Sequence, residues 1–308
     1  MVSPGQSQSF EDGTAVKQLS SHTYESHFYD AWCIGTVPHG GYVTSIFQRV
    51  ASTHFNTTLA AQNQPHTITL HLDFLRRTQA GPALFTVRDI KLGRQASVIH
   101  VTLTQAGREE IVGYITNSNM HTETGVSLPT SWSLNPAPLP VSFDLLLRDQ
   151  DKNWFHLPEM PFAPFRKATQ RMEFYLPRQV EPIRRNSDQW VTLKGGEKWT
   201  NESLGFVCDM WITPVETLSA TQQDVAKRVP MWYPTVLLNL DIKKLLPEGG
   251  AEWLFVRVET KQVKNGRMDL EVVILDETGD IVALSHHVAL AVSAERNAAE
   301  RTTGASKI

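Results

Sequence analysis

Cysteine is nearly absent: Cys33 and Cys208 are the only two in 308 residues, too few and too far apart for a disulfide framework or a Cys-based zinc site. Long apolar runs are lacking as well. No stretch approaches the roughly 18 consecutive apolar residues of a membrane-spanning helix. The opening MVSPGQSQSFEDGTAVKQLS has no basic-then-apolar secretory pattern, so a soluble, cytoplasmic chain is expected. Neither sign of charge is in excess. The 29 basic and 32 acidic residues leave a net −3, which gives no footprint for nucleic acid or an anionic membrane as partner. The chain also has no Gly-x-Ser-x-Gly elbow, no Gly-x-x-x-x-Gly-Lys-Ser/Thr loop, no His-Glu-x-x-His and no dinucleotide glycine fingerprint after a strand. These absences argue against serine hydrolases, phosphate-loop enzymes, zincins and nicotinamide enzymes. Neither a metal nor an organic cofactor is expected.

What is present is the composition of a globular protein, with 41% hydrophobic and 20% charged residues, long enough for two domains of about 150 residues. The chain ends Ser306-Lys307-Ile308, which differs from the peroxisomal Ser-Lys-Leu address only in its last aliphatic side chain.

Compared with itself, the chain shows an internal repeat. HTITLHLDFLRR at 66–77 matches TVLLNLDIKKLL at 235–246, with Asp73 on Asp241 at an offset of 168. Both alternate apolar and polar residues as strands do and end in paired basic residues. Farther on, LFTVRDIKLGRQASVIHVTLTQAGREEIV at 84–112 matches LFVRVETKQVKNGRMDLEVVILDETGDIV at 254–282, and the offset has grown to 173 at Gly93 and Gly266. Gly107 and Gly279 fall where a hairpin needs a permissive backbone. An antiparallel meander is therefore expected twice. Ahead of the first meander, Val43, Ile46, Phe47 and Val50 have helical spacing after the reversal at Pro38-His39-Gly40-Gly41, and this apolar helix should be wrapped by its sheet. Carrying the 168 offset back pairs Gly41 with Asp209, in SLGFVCDMWI at 203–212, where a shorter or interrupted helix is expected before Pro214. The Pro-rich 120–165 stretch reads as the connection, which places the boundary near 160, with repeats at 1–160 and 161–308. The polar tail after Ser293 is expected to be a frayed helix or disordered.

A helix followed by an antiparallel meander, duplicated in one chain, resembles the double hotdog acyl-CoA thioesterases of the thioesterase II type and their fungal relatives. The residues that carry the resemblance are VPHGGYV (37–43), HTITLHLDFLRR (66–77), KLGRQASV (91–98), GFVCDMW (205–211), EWLFVRVE (252–259) and GDIVALSHHVALAV (279–292). The resemblance implies an α+β double hotdog, each repeat an antiparallel sheet wrapped around a helix. It also implies that the substrate is an acyl thioester on CoA or on an acyl carrier protein. Hotdog sheets associate edge to edge, so a pseudo-dimer that can dimerise further is expected. In that family the second repeat supplies an Asp, a Thr or Ser, and a Gln. Asp209 matches the Asp. Leu237 falls at the hydroxyl position, with Thr235 and Asn239 two residues to either side, and His287 takes the place of the Gln.

Each residue also has a structural use. An ionised Asp209 in an apolar segment needs hydrogen-bond donors, which a helix start provides; it could activate a water, or be pinned to the backbone or an Arg. Of the adjacent His286 and His287 only one can face inward. His287, the choice here, suits general acid or base work with an Asp fixing its tautomer, or simple packing. Asn239 could orient a water or bridge strands. In His39-Gly40-Gly41 the backbone can approach a ligand closely and offer N–H groups to a thioester carbonyl. Trp32, Trp211 and Trp232 could line an acyl channel that favours ring-containing or short groups, or serve the core. Arg76, Arg77, Arg94, Lys243, Lys244 and Arg267 could meet phosphates or remain solvated. The expected activity is hydrolysis of an acyl thioester by direct attack of water, with Asp209 and His287 activating the water and Asn239 or Thr235 assisting. A dehydratase, isomerase or cyclase acting on a polyketide-like intermediate, or a non-catalytic acyl binder, are the alternatives.

Overall fold

A computed structural model describes residues 9–179, 186–212 and 231–298. The alternating segments become strands. In the first half these are β1 (Lys17–Ser20), β2 (Thr23–Phe28), β3 (Cys33–Ile34), β4 (Val37–Pro38), β5 (His66–Phe74), β6 (Gly81–Lys91), β7 (Ala96–Gln105) and β8 (Arg108–Ser118). There follow β9 (Trp154–Leu157), β10 (Met172–Pro177), β11 (Asn186–Leu193), β12 (Met231–Trp232), β13 (Thr235–Ile242), β14 (Leu254–Glu259), β15 (Val263–Lys264), β16 (Arg267–Leu275), β17 (Ile281–Leu290) and β18 (Val292–Ser293). Among the described residues the α-helices are α1 (Phe10–Gly13), α2 (Gly40–Asn56), α3 (Phe143–Leu146), α4 (Leu204–Val207) and α5 (Glu295–Ala298).

One antiparallel sheet runs through both halves in the order β1-β2-β6-β7-β8-β5-β13-β17-β16-β14-β11-β10-β9, with β15 on β16. Strands β5-β8-β7-β6-β2 on one side are mirrored by β13-β17-β16-β14-β11 on the other, and β5 joins β13 at the centre. This is the duplicated meander of a double hotdog. Gly107 (φ 73°) and Gly279 (φ 90°) sit in equivalent hairpins with the positive φ that glycine tolerates.

The local pseudo-twofold axis can be located from residues that touch their own repeat counterparts. His71 and Asn239, at the 168 offset, lie opposite one another on β5 and β13 and share a 2.7 Å hydrogen bond. The helices cross at a second such point. A Cβ on Gly41 would come 2.7 Å from the Gly205 carbonyl oxygen and 2.8 Å from Asp209 Cβ; reciprocally, one on Gly205 would come 2.8 Å from Ser45 N. These contacts are mutual at an offset of 164, so the counterpart of Gly41 is Gly205 and that of Asp209 is Ser45. The pairing of Gly41 with Asp209 is thereby corrected by one helical turn, because the helix-to-strand connections of the two halves differ by four residues.

Helix α2 buries Tyr42, Val43, Ile46, Phe47, Val50, Ala51 and Phe55 among both halves of the core; each of the Val, Ile and Phe side chains contributes about 1.5–3 kcal/mol by leaving water. Among the described residues, the helix equivalent to α2 in the second half is the four-residue α4, extended at its start by a 3-10 turn over Asn201–Ser203 whose Ser203 Oγ accepts the Thr200 N–H at 2.8 Å. The connection is more ordered than its proline content suggests. Strand β9, ahead of residue 160, already pairs with β10 of the second half. Phe143, Leu146 and Trp154 pack with Tyr175, Trp190, Trp253 and Phe255 into a separate apolar cluster. The start of the expected polar tail is docked as well: buried Asn297 accepts from Thr36 N at 2.9 Å and donates to the Ile34 carbonyl at 2.8 Å. Ser306-Lys307-Ile308 lies outside the described residues. Among those described, no helix is long and apolar enough to cross a membrane.

Candidate active site

Asp209 follows α4 directly and faces the N-terminal turn of α2. The approach is possible because Gly40 and Gly41 lack side chains: a Cβ on Gly40 would lie 2.7 Å from Asp209 Oδ2. The carboxylate is buried, and the nearby Gly41 amide favours its charged form. Its environment pulls both ways. Burial raises its pKa, whereas His39, His287 and the Gly41 amide lower it, and the net displacement is downward from 3.8. The favourable end of the α2 dipole acts in the same direction. Asp209 is therefore ionised at neutral pH.

Three side chains surround it. His39 is the N-cap of α2: its Nδ1 accepts the Tyr42 N–H at 3.4 Å, which leaves the proton of the neutral ring on Nε2, 3.6 Å from Asp209 Oδ2. Burial lowers the His39 pKa, against the pull of Asp209, so the ring is neutral at pH 7. Thr235 Oγ1 donates to Asp209 Oδ1 at 3.4 Å. His287, fully buried on β17, places Nδ1 3.3 Å from the same oxygen, within ion-pair range but off the line of a good hydrogen bond. Its other nitrogen meets Ser285 Oγ at 2.8 Å. Ser285 gives its only proton to the Asn239 carbonyl, so it accepts from His287 Nε2–H. The tautomer follows from Ser285, which the sequence analysis did not single out, although it lies two residues earlier on the same strand face.

The expected residues do not all converge. Asn239 turns away from the site. A bulge between Thr235 and Leu237 puts one extra residue into β13, so Thr235 joins the inner face with Leu238 while Asn239 stays on the outer face, bonded to His71. The simple alternation that grouped Thr235, Leu237 and Asn239 misses this shift. The same shift brings the Thr235 hydroxyl, not Leu237, to the carboxylate. Trp32 is also displaced from the expected channel: it is 1% exposed and stacks on Tyr42 with ring centroids 5.3 Å apart. The helix-start amides differ in use from expectation, since the Gly41 amide favours the charge on Asp209 and the Tyr42 N–H donates to His39 Nδ1.

Asp209 opens onto a cavity of about 700 Å³ whose wall includes His39, Gly40, Trp211, Trp232 and Thr235. His287 lies behind the carboxylate, its ring edge-on to Trp211. Arg76 and Arg77 at the end of β5 line the cavity together with Arg166 and Arg296, which the sequence did not single out. The repeat counterpart of Arg76 behaves differently, because Lys244 pairs with Asp276 and Asp280, and the counterpart of Arg77 is the uncharged Leu245.

Comparison with known proteins gives a consistent result. Residues 28–118 match the acyl-CoA thioesterase N-terminal domain and residues 147–291 the acyl-CoA thioesterase C-terminal domain. Thioesterase-like protein TwmA of Talaromyces wortmannii is 37% identical, over 98% of this chain and 97% of its own. Among solved structures, a Thermobifida fusca protein described as a thioesterase II superposes with a TM-score of 0.70 at 21% identity, covering 92% of this chain and 97% of the other. Acyl-CoA thioesterase II TesB2 of Mycobacterium marinum gives 0.61 at 14%, covering 96% and 99%. At such identities the two structures speak to the fold alone.

Proposed function

The chain belongs to the acyl-CoA thioesterase family, and on that premise we propose that it hydrolyses an acyl thioester, carried on CoA or on a carrier protein, by direct attack of water. The observation that carries this is an ionised Asp209 on the cavity wall, with the Thr235 hydroxyl donating to it and the rings of His39 and His287 3.6 and 3.3 Å away. In the proposed step the Asp209 carboxylate takes one proton from a water as its oxygen bonds to the thioester carbon. The Gly40 amide and the His39 Nε2–H, from two residues that line the cavity, stabilise the charge on the carbonyl oxygen. Collapse breaks the C–S bond, and the proton held by Asp209 goes to the departing sulfur. A thiolate leaves readily, so no covalent nucleophile is needed. The Thr235 hydroxyl, which donates to the carboxylate, positions it. Trp211 and Trp232 suit a short or ring-containing acyl group, and the arginines of the wall suit the anionic portion of the carrier.

Thiol release from short, long, branched and aromatic acyl-CoAs tests this. Saturable release reduced about 10²–10⁴-fold in Asp209→Asn is expected, the range for losing a general base. A folded wild type that releases no thiol from any of them overturns it.

Dehydration of a carrier-bound intermediate is the second possibility, favoured by an imidazole and a carboxylate facing one cavity across the two halves. It ranks second because a dehydrating base needs a lone pair on His39 Nε2, whereas the Tyr42 amide occupies Nδ1 and leaves Nε2 as a donor. Turnover without thiol release would select it. Binding without turnover would select an acyl-binding role.

A further inference from the structure

At the far end of α2 from Asp209 lies a cluster with no part in that chemistry. His54 is fourteen residues beyond Gly40 on the helix, which at about 1.5 Å per residue separates the two places by roughly 20 Å. Its Nε2 is 2.9 Å from Asp89 Oδ1, and His22 Nε2 is 3.2 Å from Asp89 Oδ2. The three come from the turn before β2, the last turn of α2 and strand β6. His22 and Asp89 are 67 residues apart in sequence, so no ligand spacing exists for sequence inspection to find.

We propose that His22, His54 and Asp89 form a binding site for a divalent transition metal of the zinc class, with water completing the coordination. The three ligand atoms lie within 4.8 Å of one another. Ligands about 2.1 Å from a tetrahedral zinc stand about 3.4 Å apart, so closing around an ion asks the widest pair to approach by up to about 1.4 Å, shared between two side chains. The donor set, two imidazoles and one carboxylate, is of the kind that leaves one position open in zinc sites.

The surroundings hold both rings in the orientation a metal requires. The nitrogen of each ring that does not face Asp89 meets a hydroxyl: His54 Nδ1 is 2.8 Å from Tyr24 Oη, and His22 Nδ1 is 2.9 Å from Ser21 Oγ. Such outer partners fix the tautomer of metal-bound histidines. Tyr24 can place its single proton in either of two ways, because the Ser21 carbonyl lies 3.1 Å from its oxygen. With the proton on that carbonyl, Tyr24 accepts His54 Nδ1–H, and Nε2 presents a lone pair toward Asp89. Two lone pairs 2.9 Å apart need a cation between them, and a metal ion serves for both imidazoles at once by displacing any Nε2 proton to solvent. The site is also reachable: the His54 side chain is fully buried, whereas those of His22 and Asp89 are 40% and 24% exposed.

The test uses the full chain, stripped of metal by chelator dialysis. Zn²⁺ is titrated against a chromophoric chelator, and Co²⁺ is added separately for its absorption spectrum. One Zn²⁺ per chain and a tetrahedral Co²⁺ spectrum are expected. His22→Ala and Asp89→Asn should each weaken binding by more than the about 10–100-fold that loss of an outer partner costs, with unchanged far-ultraviolet circular dichroism. A wild type that takes up no Zn²⁺, or one whose affinity is the same in both variants, overturns the proposal. Neither result bears on thiol release, so this site and the cavity are judged separately.

Discussion

Gly41→Ala separates two opposed effects. In an ordinary helix the change stabilises by up to about 1 kcal/mol. Here the added methyl would lie 2.7 Å from the carbonyl oxygens of Gly205 and Phe206 and 2.8 Å from Asp209 Cβ, against an ordinary contact of about 3.5–4.0 Å. Two of the three obstacles are backbone and cannot rotate away, so α2 must retreat from α4 by several tenths of an ångström. Overpacking of this kind costs about 1–3 kcal/mol. The upper end applies to backbone obstacles, which leaves a net loss of about 2 kcal/mol, or roughly 4–8 °C in Tm. The retreat also draws the Gly41 N–H away from Asp209, so activity falls with stability. Gly40→Ala is the internal control. Its methyl would meet only Asp209 Oδ2 closer than 3.6 Å, a side-chain end that can turn, so it should depress kcat more than Tm. Calorimetry and thiol release on both variants decide the matter. A Gly41→Ala protein that melts higher than wild type, with normal turnover, would refute the close crossing and the site built on it.

Three further outcomes follow from buried groups. Burial pushes the Cys33 thiol up to about 12 and that of Cys208 well above its usual value, so a thiol reagent at pH 8 should modify neither in the native protein and both in denaturant; fast native labelling would contradict the packing. His39 is depressed below 6.5 and Asp209 below 3.8. In both cases the unfolded chain takes up the proton first as pH falls, so stability is full above the unfolded value and declines below it. His39→Gln should therefore remove a slope of up to about 1.4 kcal/mol per pH unit just below pH 6.5, and equal slopes in the two proteins would disprove the assignment. Asp188 and Arg257 form a buried pair with two 2.6 Å hydrogen bonds between β11 and β14. Asp188→Asn should cost about 3–5 kcal/mol by stranding the guanidinium, whereas Asp188→Leu with Arg257→Met should cost less; the reverse order in urea denaturation would count against an ionised pair.

The meander was legible because strand alternation, hairpin glycines and duplicated text all carry the same message, and Asp209 and His287 stood out as polar residues in apolar segments. Legibility ended where one residue changes the phase. The bulge at Val236 is invisible to a period of two, and it exchanges which of Thr235 and Asn239 faces inward. The four-residue difference between the helix-to-strand connections likewise shifted the helical equivalence by one turn. Trp32 and Trp211 look alike as letters, and only the stacking of Trp32 on Tyr42 separates a core residue from a cavity wall. The Ser285 contact and the arginines from distant segments depend on tertiary contacts that no local pattern encodes.

The corrected equivalence accounts for the asymmetry of the proposed site about the pseudo-twofold axis among the described residues. The counterpart of Asp209 is Ser45, whose buried hydroxyl finds no hydrogen-bond partner among the described residues, and a hydroxyl of that kind is not ionised at neutral pH. The counterpart of His287 is Ile115: Leu238 faces His287 across β13 and β17 just as Leu70 faces Ile115 across β5 and β8. The bulge at Thr235 recurs at Thr67, but that hydroxyl is spent on Asn117 Oδ1 at 3.1 Å. Even the amide differs, since Gly205 N–H goes to Gln48 Oε1 at 2.8 Å rather than to a carboxylate. Duplication has thus kept the helix crossing and the bulge in both halves, and acid and imidazole in one. A non-hydrolysable thioether analogue of a good acyl-CoA substrate should accordingly bind one per chain in calorimetry and lose that binding when Trp211→Ala opens the cavity wall. Two equivalents per chain, with one surviving the change, would show that the mirrored side binds as well and that the loss of acid and imidazole there left a working pocket.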